Sequence, residues 1–128
     1  MSMLDKLKVL IVDDTSTSRM LLREGLIEVG IQNIVQAKDG AEALNIMKTS
    51  PCHLIVSDFH MPKIDGLQLL QSIRMNGPTQ RVPFILLTGA GDKTVLQRAA
   101  KLGLNNYITK PFTVPTLKNA IQAIFGKF

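Results

Sequence analysis

Asp13, Asp14, Asp58, Thr88 and Lys110 each follow a short apolar run, and together they can handle a hard cation and a phosphoryl group. The runs are Leu10-Ile11-Val12 into Asp13-Asp14, Leu54-Ile55-Val56-Ser57 into Asp58, Phe84-Ile85-Leu86-Leu87 into Thr88, and Tyr107-Ile108-Thr109 into Lys110. Two carboxylates ~4 Å apart repel by about 4 kcal/mol at an effective dielectric near 20, so three crowded together need compensation. A divalent cation supplies it. Oxygen ligands select Mg²⁺, Ca²⁺ or Mn²⁺ over zinc, and Mg²⁺ accepts few protein ligands while taking phosphate oxygens. Lys110 brings a second positive charge and Thr88 a hydroxyl donor. A carboxylate that attacks phosphorus gives an aspartyl phosphate. Transfer of a metaphosphate-like group asks for positioning and charge neutralisation more than acid–base chemistry. Asp58 is the candidate nucleophile, because it stands alone at the end of a central strand and leaves Asp13 and Asp14 for metal. Each residue alone has a plainer use: Asp after a strand commonly shapes a turn, and Asp13-Asp14 before Thr15-Ser16-Thr17-Ser18 resembles helix-capping chemistry. The conjunction points to a site.

These residues converge only if the runs are parallel strands of one sheet, whose ligands bind outside the carboxyl ends. The rest of the chain fits that layout. Strands are expected over residues 8–13, 34–37, 54–57, 84–87 and 107–109, alternating with five helices. The first helix begins near Thr17, carries Leu22, Leu26 and Val29 at helical spacing, and stops near Gly30. Asp39 and Glu42 frame the second as a capping-box-like pair. Asp65 caps the third, which runs through Leu67, Leu70 and Ile73 to Met75 before Gly77-Pro78 breaks it. The fourth takes residues 93–102. Pro115 suits the first turn of the fifth, whose inner face is Leu117, Ile121 and Ile124. Strands one, three and four are continuous apolar runs, as strands covered on both faces are. Alternating β and α elements with short connections give right-handed crossovers and an α/β, doubly wound parallel sheet.

At 128 residues the chain is expected to form one domain, 1–128, with 45% hydrophobic residues for its core. No stretch approaches the ~20 apolar residues of a membrane span, and Asp5, Lys6 and Lys8 interrupt any signal-peptide pattern. Cys52 is the single cysteine, which excludes an internal disulfide; with His53 alone it is too little for zinc. A cytoplasmic, monomeric protein is expected. The net charge of +5 is unevenly spread: residues 1–70 carry −2 and residues 71–128 carry +7, with Asp92 the only acid in the second part. An acidic chemical half and a basic contact face for an acidic partner follow from that asymmetry. One Tyr, no Trp and no Lys/Arg run argue against nucleic acid.

Four segments in order carry a resemblance: Val9-Leu10-Ile11-Val12-Asp13-Asp14, residues 58–67 (Asp-Phe-His-Met-Pro-Lys-Ile-Asp-Gly-Leu), Leu87-Thr88-Gly89-Ala90, and Tyr107-Ile108-Thr109-Lys110-Pro111-Phe112. Over its whole length the chain resembles the receiver domain of two-component response regulators, and within it the single-domain chemotaxis regulators. The resemblance implies a five-stranded sheet of order 2-1-3-4-5. It implies that Asp58 accepts phosphate from a histidine kinase's phosphohistidine. Asp14 and Asp58 would bind Mg²⁺ directly and Asp13 through water, with the backbone carbonyl of His60 completing the protein ligands. Lys110 and Thr88 would contact the phosphoryl group, Tyr107 would swing inward as Thr88 moves, and Lys110–Pro111 would be cis. The output face would be helix four, strand five and helix five, with Lys93, Arg98, Lys101 and Lys118 as its basic contacts. With no output domain expected after Phe128, the partner is the flagellar motor switch protein or another protein target. Intrinsic autophosphatase activity is expected.

The chain departs from the best-known chemotaxis regulators at His60, where an Asn is common, and at Ala90, where a larger polar residue is common. These two positions flank the water path in the family and tune the phosphoryl lifetime. Phe59 replaces a Trp and Thr15 an aromatic. A phosphorelay shuttle or phosphate sink is the rival within the family. Outside it stand a flavodoxin-like FMN electron carrier and a Mg²⁺-dependent phosphatase with an Asp nucleophile. Asp13-Asp14 would repel a flavin phosphate, and His60 is the wrong acid–base partner for the usual phosphatase arrangement.

Overall fold

A computed structural model describes residues 3–89 and 92–126. Its strands are β1 (Lys8–Val12), β2 (Asn33–Ala37), β3 (Leu54–Asp58), β4 (Phe84–Thr88) and β5 (Asn106–Thr109). Its helices are α1 (Ser16–Val29), α2 (Gly40–Thr49), α3 (Gly66–Met75), α4 (Lys93–Lys101) and α5 (Val114–Phe125), with short 3-10 turns at Met3–Asp5 and Gly77–Thr79. All strand pairs are parallel and the sheet order is β2-β1-β3-β4-β5. The strand alternation splits the core in two. Val9, Ile11, Val56, Ile85 and Leu87 pack with Leu22 and Leu26 of α1 and Leu117 and Ile121 of α5. Leu10, Val12, Ile55, Phe84 and Leu86 pack with Ala43 of α2, Leu70 of α3 and Ala99 of α4. Each central strand buries both faces, which is why its residues read as unbroken apolar runs.

The register sets the working edge. Val12 pairs with Ser57, Asp58 with Leu87, and Thr88 with Thr109. Asp13 and Asp58 are therefore level, with Thr88 one residue and Lys110 two residues further along the same edge. Three strand ends at this edge differ from expectation: β1 stops at Val12, while β3 and β4 run on through Asp58 and Thr88. Asp58, the candidate nucleophile, and the Thr88 hydroxyl thus belong to strands and share their rigidity.

Local chemistry explains the helix ends. Gly30 sits at φ 115 after α1, and its N–H donates to Leu26 O and Ile27 O. A residue with a side chain pays a steric penalty there that glycine avoids. Asp39 accepts from the Glu42 N–H at 2.8 Å, but Glu42 Oε1 accepts from the Lys38 N–H rather than from that of Asp39. The expected capping pair is therefore only half reciprocal. A full box occurs at α3, where Asp65 and Gln68 satisfy each other's backbone N–H groups at 2.8 and 2.9 Å. Pro115 lies in the first turn of α5 behind a Thr113–Thr116 box. Leu117 and Ile121 are buried as expected, while Ile124 is only partly covered. Cys52 is a buried core residue. No described helix is long and apolar enough to cross a membrane.

Candidate functional site

Backbone pairing continues one residue past each strand and holds the site residues in a common frame. Asp13 N–H donates to Ala37 O at 3.2 Å, Phe59 N–H to Leu87 O at 3.0 Å, and Lys110 N–H to Thr88 O at 2.8 Å. Around this frame the carboxylate oxygens of Asp13, Asp14 and Asp58 lie within 4.8 Å of one another. Asp13 and Asp58 are buried, 1% and 5% exposed, whereas Asp14 is exposed. Burial pushes the Asp13 carboxyl up from its ordinary range; the Thr15 N–H at 2.9 Å pulls it back, the Asp58 charge raises it, Lys110 lowers it and Asp14 raises it. Desolvation wins because a charge without water loses more than one backbone donor returns.

Lys110 Nζ lies 2.7 Å from Asp58 Oδ1. That oxygen has no directed hydrogen bond among the described residues, so the contact is an ion pair by proximity. The Lys110–Pro111 peptide is cis. Thr88 Oγ is buried and has no hydrogen-bond partner among the described residues. A buried hydroxyl left unpaired costs about 1–3 kcal/mol, which native sites tolerate where a ligand supplies the missing partner. Three crowded carboxylates, one of them reluctant to ionise, fit a hard divalent cation. The orphaned hydroxyl and the ammonium fit an oxyanion beside it.

The loop after β3 is held tightly. The Ser57 hydroxyl donates to Asp58 O at 2.9 Å, and Gly66 N–H donates to Phe59 O at 2.9 Å. A Cβ on Gly66 would stand 2.7 Å from Asp58 O and 2.9 Å from Phe59 Cα. Gly66 thus lets α3 start directly against the Asp58–Phe59 peptide. Lys63, at φ 67, turns the loop, with Ile64 N–H reaching Pro62 O at 2.8 Å. His60 is exposed, its ring edge-on to Phe59 at 4.6 Å. Ala90 lies outside the described residues. Tyr107 is 48% exposed on β5, turned out toward solvent. Lys93, Arg98 and Lys101 on α4 and Lys118 on α5 are exposed.

Three residues with positional roles carry little signal in the sequence. Gly66 is one; its cues are its place after the capping Asp65 and within the 58–67 segment, neither of which gives its contact with the Asp58–Phe59 backbone. Arg19 is another, with its Nη1 2.6 Å from the backbone carbonyl of Asp13. Arg74 belongs to the basic half yet is no free surface cation: it donates to Val82 O, Gly103 O and Asn105 Oδ1, tying α3 to the start of β4 and to the α4–β5 loop. A groove of about 620 Å³ opens beside the site between α1 and the β5–α5 loop, lined by Leu21, Gly25, Phe112 and Val114, with Asp13 and Lys110 among its residues.

An open parallel sheet with acids, a hydroxyl and a lysine at its carboxyl edge defines a phosphoryl-handling α/β domain. Residues 9–122 match the response regulator receiver domain, and the chain belongs to that family. It is 50% identical over 126 residues to the probable chemotaxis protein CheY of Rhizobium etli, covering 98% of both chains. The structure of Vibrio cholerae chemotaxis protein CheY4 superposes with a TM-score of 0.85 at 29% identity, covering 92% of this chain and 98% of that one. The receiver domain of a sensor histidine kinase from Pseudomonas aeruginosa, with a magnesium ion coordinated in its active-site cleft, superposes at 0.83 with 25% identity, covering 94% and 98%. Family membership makes the chain a two-component signalling protein rather than a classical enzyme, which removes the FMN-carrier and phosphatase alternatives.

Proposed function

We propose that residues 1–128 form one phosphorylation-activated switch in which Asp58 takes a phosphoryl group from a histidine kinase. The observation that carries this reading is the cluster itself: Asp58 within 4.8 Å of two further carboxylates, with Lys110 Nζ at 2.7 Å. An Asp58 oxygen attacks phosphorus, the O–P bond forms, and the P–N bond to the donor imidazole breaks. The electron pair of that bond returns to the ring. Asp13, Asp14, Asp58 and the carbonyl of His60 would hold Mg²⁺, which supplies charge neutralisation for the transferred group. The magnesium-bound receiver domain at 0.83 TM-score supports that assignment. Lys110 leaves the carboxylate for a phosphoryl oxygen, and the Thr88 hydroxyl gains the partner it lacks.

Drawing Thr88 toward the phosphoryl group opens space next to β5, into which Tyr107 turns from its exposed position. Phosphorylation thereby shifts a two-state equilibrium at α4, β5 and α5. The exposed Lys93, Arg98, Lys101 and Lys118 then meet an acidic protein target. The likeness to chemotaxis proteins supports the flagellar motor switch as that target and chemotaxis as the process. Hydrolysis of the aspartyl phosphate, with Ala90 and the exposed His60 setting its rate, returns the switch to rest. The chain acts as a monomer in the cytoplasm in this reading.

The test is chemical. Incubation with Mg²⁺ and a small phosphodonor gives a labile phosphate on Asp58, detected by mass spectrometry, and Asp58→Asn abolishes it. Labelling that persists in Asp58→Asn overturns the assignment. Pull-down of the motor switch protein by the phosphorylated chain separates the motor role from a phosphate sink, which retains no such partner.

A further inference from the structure

Among the three carboxylates, Asp14 is the one that tertiary packing leaves least constrained. It is exposed, and its side chain makes no hydrogen bond among the described residues. Its position depends on the peptide that joins it to Asp13. That peptide is pinned on one side by β2, through Asp13 N–H to Ala37 O. On the other side it meets α1. Thr15 N–H donates to Asp13 Oδ1 at 2.9 Å, Arg19 N–H donates to Thr15 O at 3.0 Å, and Arg19 Nη1 donates to the Asp13 carbonyl at 2.6 Å.

The Arg19 contact is chemically informative. An arginine that reaches the backbone of an acidic cluster has a charge-assisted pair as its stronger option, and its planar fork favours one. Arg19 forms no ion pair among the described residues. Its guanidinium points instead at a neutral carbonyl, the one whose carbon is bonded to the Asp14 nitrogen. The half-buried Arg19 side chain thus fixes the plane of the Asp13–Asp14 peptide, and with it the direction in which Asp14 leaves the backbone.

We propose that Arg19 is a positioning residue for the cation site, holding the Asp13–Asp14 turn so that the exposed Asp14 carboxylate faces the buried pair before any metal arrives. This rests on the reading of the acidic cluster as a Mg²⁺ site. Simple electrostatics makes the opposite forecast. Removing a cation held at the backbone of the cluster lowers the positive charge that competes with the metal and tightens binding. Loss of an orienting contact weakens it, and removal of such outer partners typically costs about 10–100-fold in metal affinity.

Arg19→Met keeps length and helix propensity while removing the donor. Mg²⁺ affinity is measured by calorimetry, and amide exchange at Asp14 and Thr15 is measured by NMR in the metal-free chain. The expected result is a Kd for Mg²⁺ about tenfold or more above wild type, with faster exchange at both amides. Arg19→Lys, which keeps the charge and a donor of different reach, falls between. Mg²⁺ binding as tight as or tighter than wild type overturns the proposal, as does unchanged exchange. If Arg19→Met does not fold, Arg19→Lys decides: weaker binding with faster exchange supports the role, and wild-type values in both overturn it. A wild-type chain that binds no Mg²⁺ refutes the reading of the cluster, and the exchange measurement then tests the clamp by itself.

Discussion

Chemically identical side chains have unequal tasks here because their surroundings differ. Asp13 is buried, and burial raises its pKa against the pull of the Thr15 N–H and Lys110. An acid whose folded pKa is raised binds more protons folded than unfolded, so its contribution to stability falls as pH rises through that window. The metal-free chain therefore carries a penalty from Asp13 at neutral pH that is relieved on acidification. Asp13→Asn keeps the acceptor for Thr15 and removes the charge. The variant is expected to melt above wild type at pH 7 without metal, with the difference closing as pH falls through the raised Asp13 pKa into the ordinary carboxylate range. With saturating Mg²⁺ the order reverses, because the cation stabilises only the ionised cluster and the variant binds it on the order of tenfold more weakly. Melting curves of both chains across pH, with and without Mg²⁺, check the sign. A variant less stable than wild type in metal-free neutral buffer would contradict the desolvation argument.

At the scale of elements, the start of α3 links helix stability to the geometry of Asp58, the proposed nucleophile. Asp65 and Gln68 form a complete capping box, and Gly66 lets the helix abut the Asp58–Phe59 backbone. Asp65→Ala is expected to lose about 1 kcal/mol of stability through the missing cap, with Asp58 still phosphorylated. Gly66→Ala forces a methyl against backbone that no side-chain rotation can move. Its expected cost is about 1–3 kcal/mol, together with slower labelling of Asp58. Denaturant unfolding and phosphodonor labelling of both variants separate the two effects. Equal labelling rates would show that the Gly66 contact does not govern the reactivity of Asp58. Much of this level was legible beforehand. Asp65, Gly77-Pro78 and Pro115 mark helix ends through chemistry confined to a few residues. Glu42 was misleading because its side chain reaches the Lys38 N–H instead of that of Asp39, a choice between two neighbouring donors that sequence spacing does not decide.

For the whole molecule, charge separation maps onto the two ends of the switch. The acidic cluster lies at the carboxyl edge of the sheet, and the exposed cations Lys93, Arg98, Lys101 and Lys118 sit on α4 and α5. Replacing those four with Ala is expected to weaken binding of the phosphorylated chain to the proposed acidic target by about tenfold or more near 0.1 M salt, with the deficit shrinking as salt rises. Target affinity against ionic strength, measured for both chains, is the check. A deficit independent of salt would assign the effect to shape. Arg74 is expected to leave this binding unaffected directly, since its donors are committed to Val82, Gly103 and Asn105.

The amino-acid sequence by itself determined the alternation of strands and helices, the burial of the central strands on both faces, and the gathering of Asp13, Asp58, Thr88 and Lys110 at one edge. Those features follow from periodicity, capping and the handedness of crossovers, which act locally or by general rule. Only the tertiary structure decided which carboxylate is exposed, that Lys110 rests on Asp58, that the Thr88 hydroxyl is unpaired, and that Tyr107 faces outward. It also decided that Arg19 holds a carbonyl and Arg74 ties two layers together. Long, flexible side chains choose partners by distance in space. Burial depends on everything packed above a residue. Neither is encoded in the few positions on either side of it.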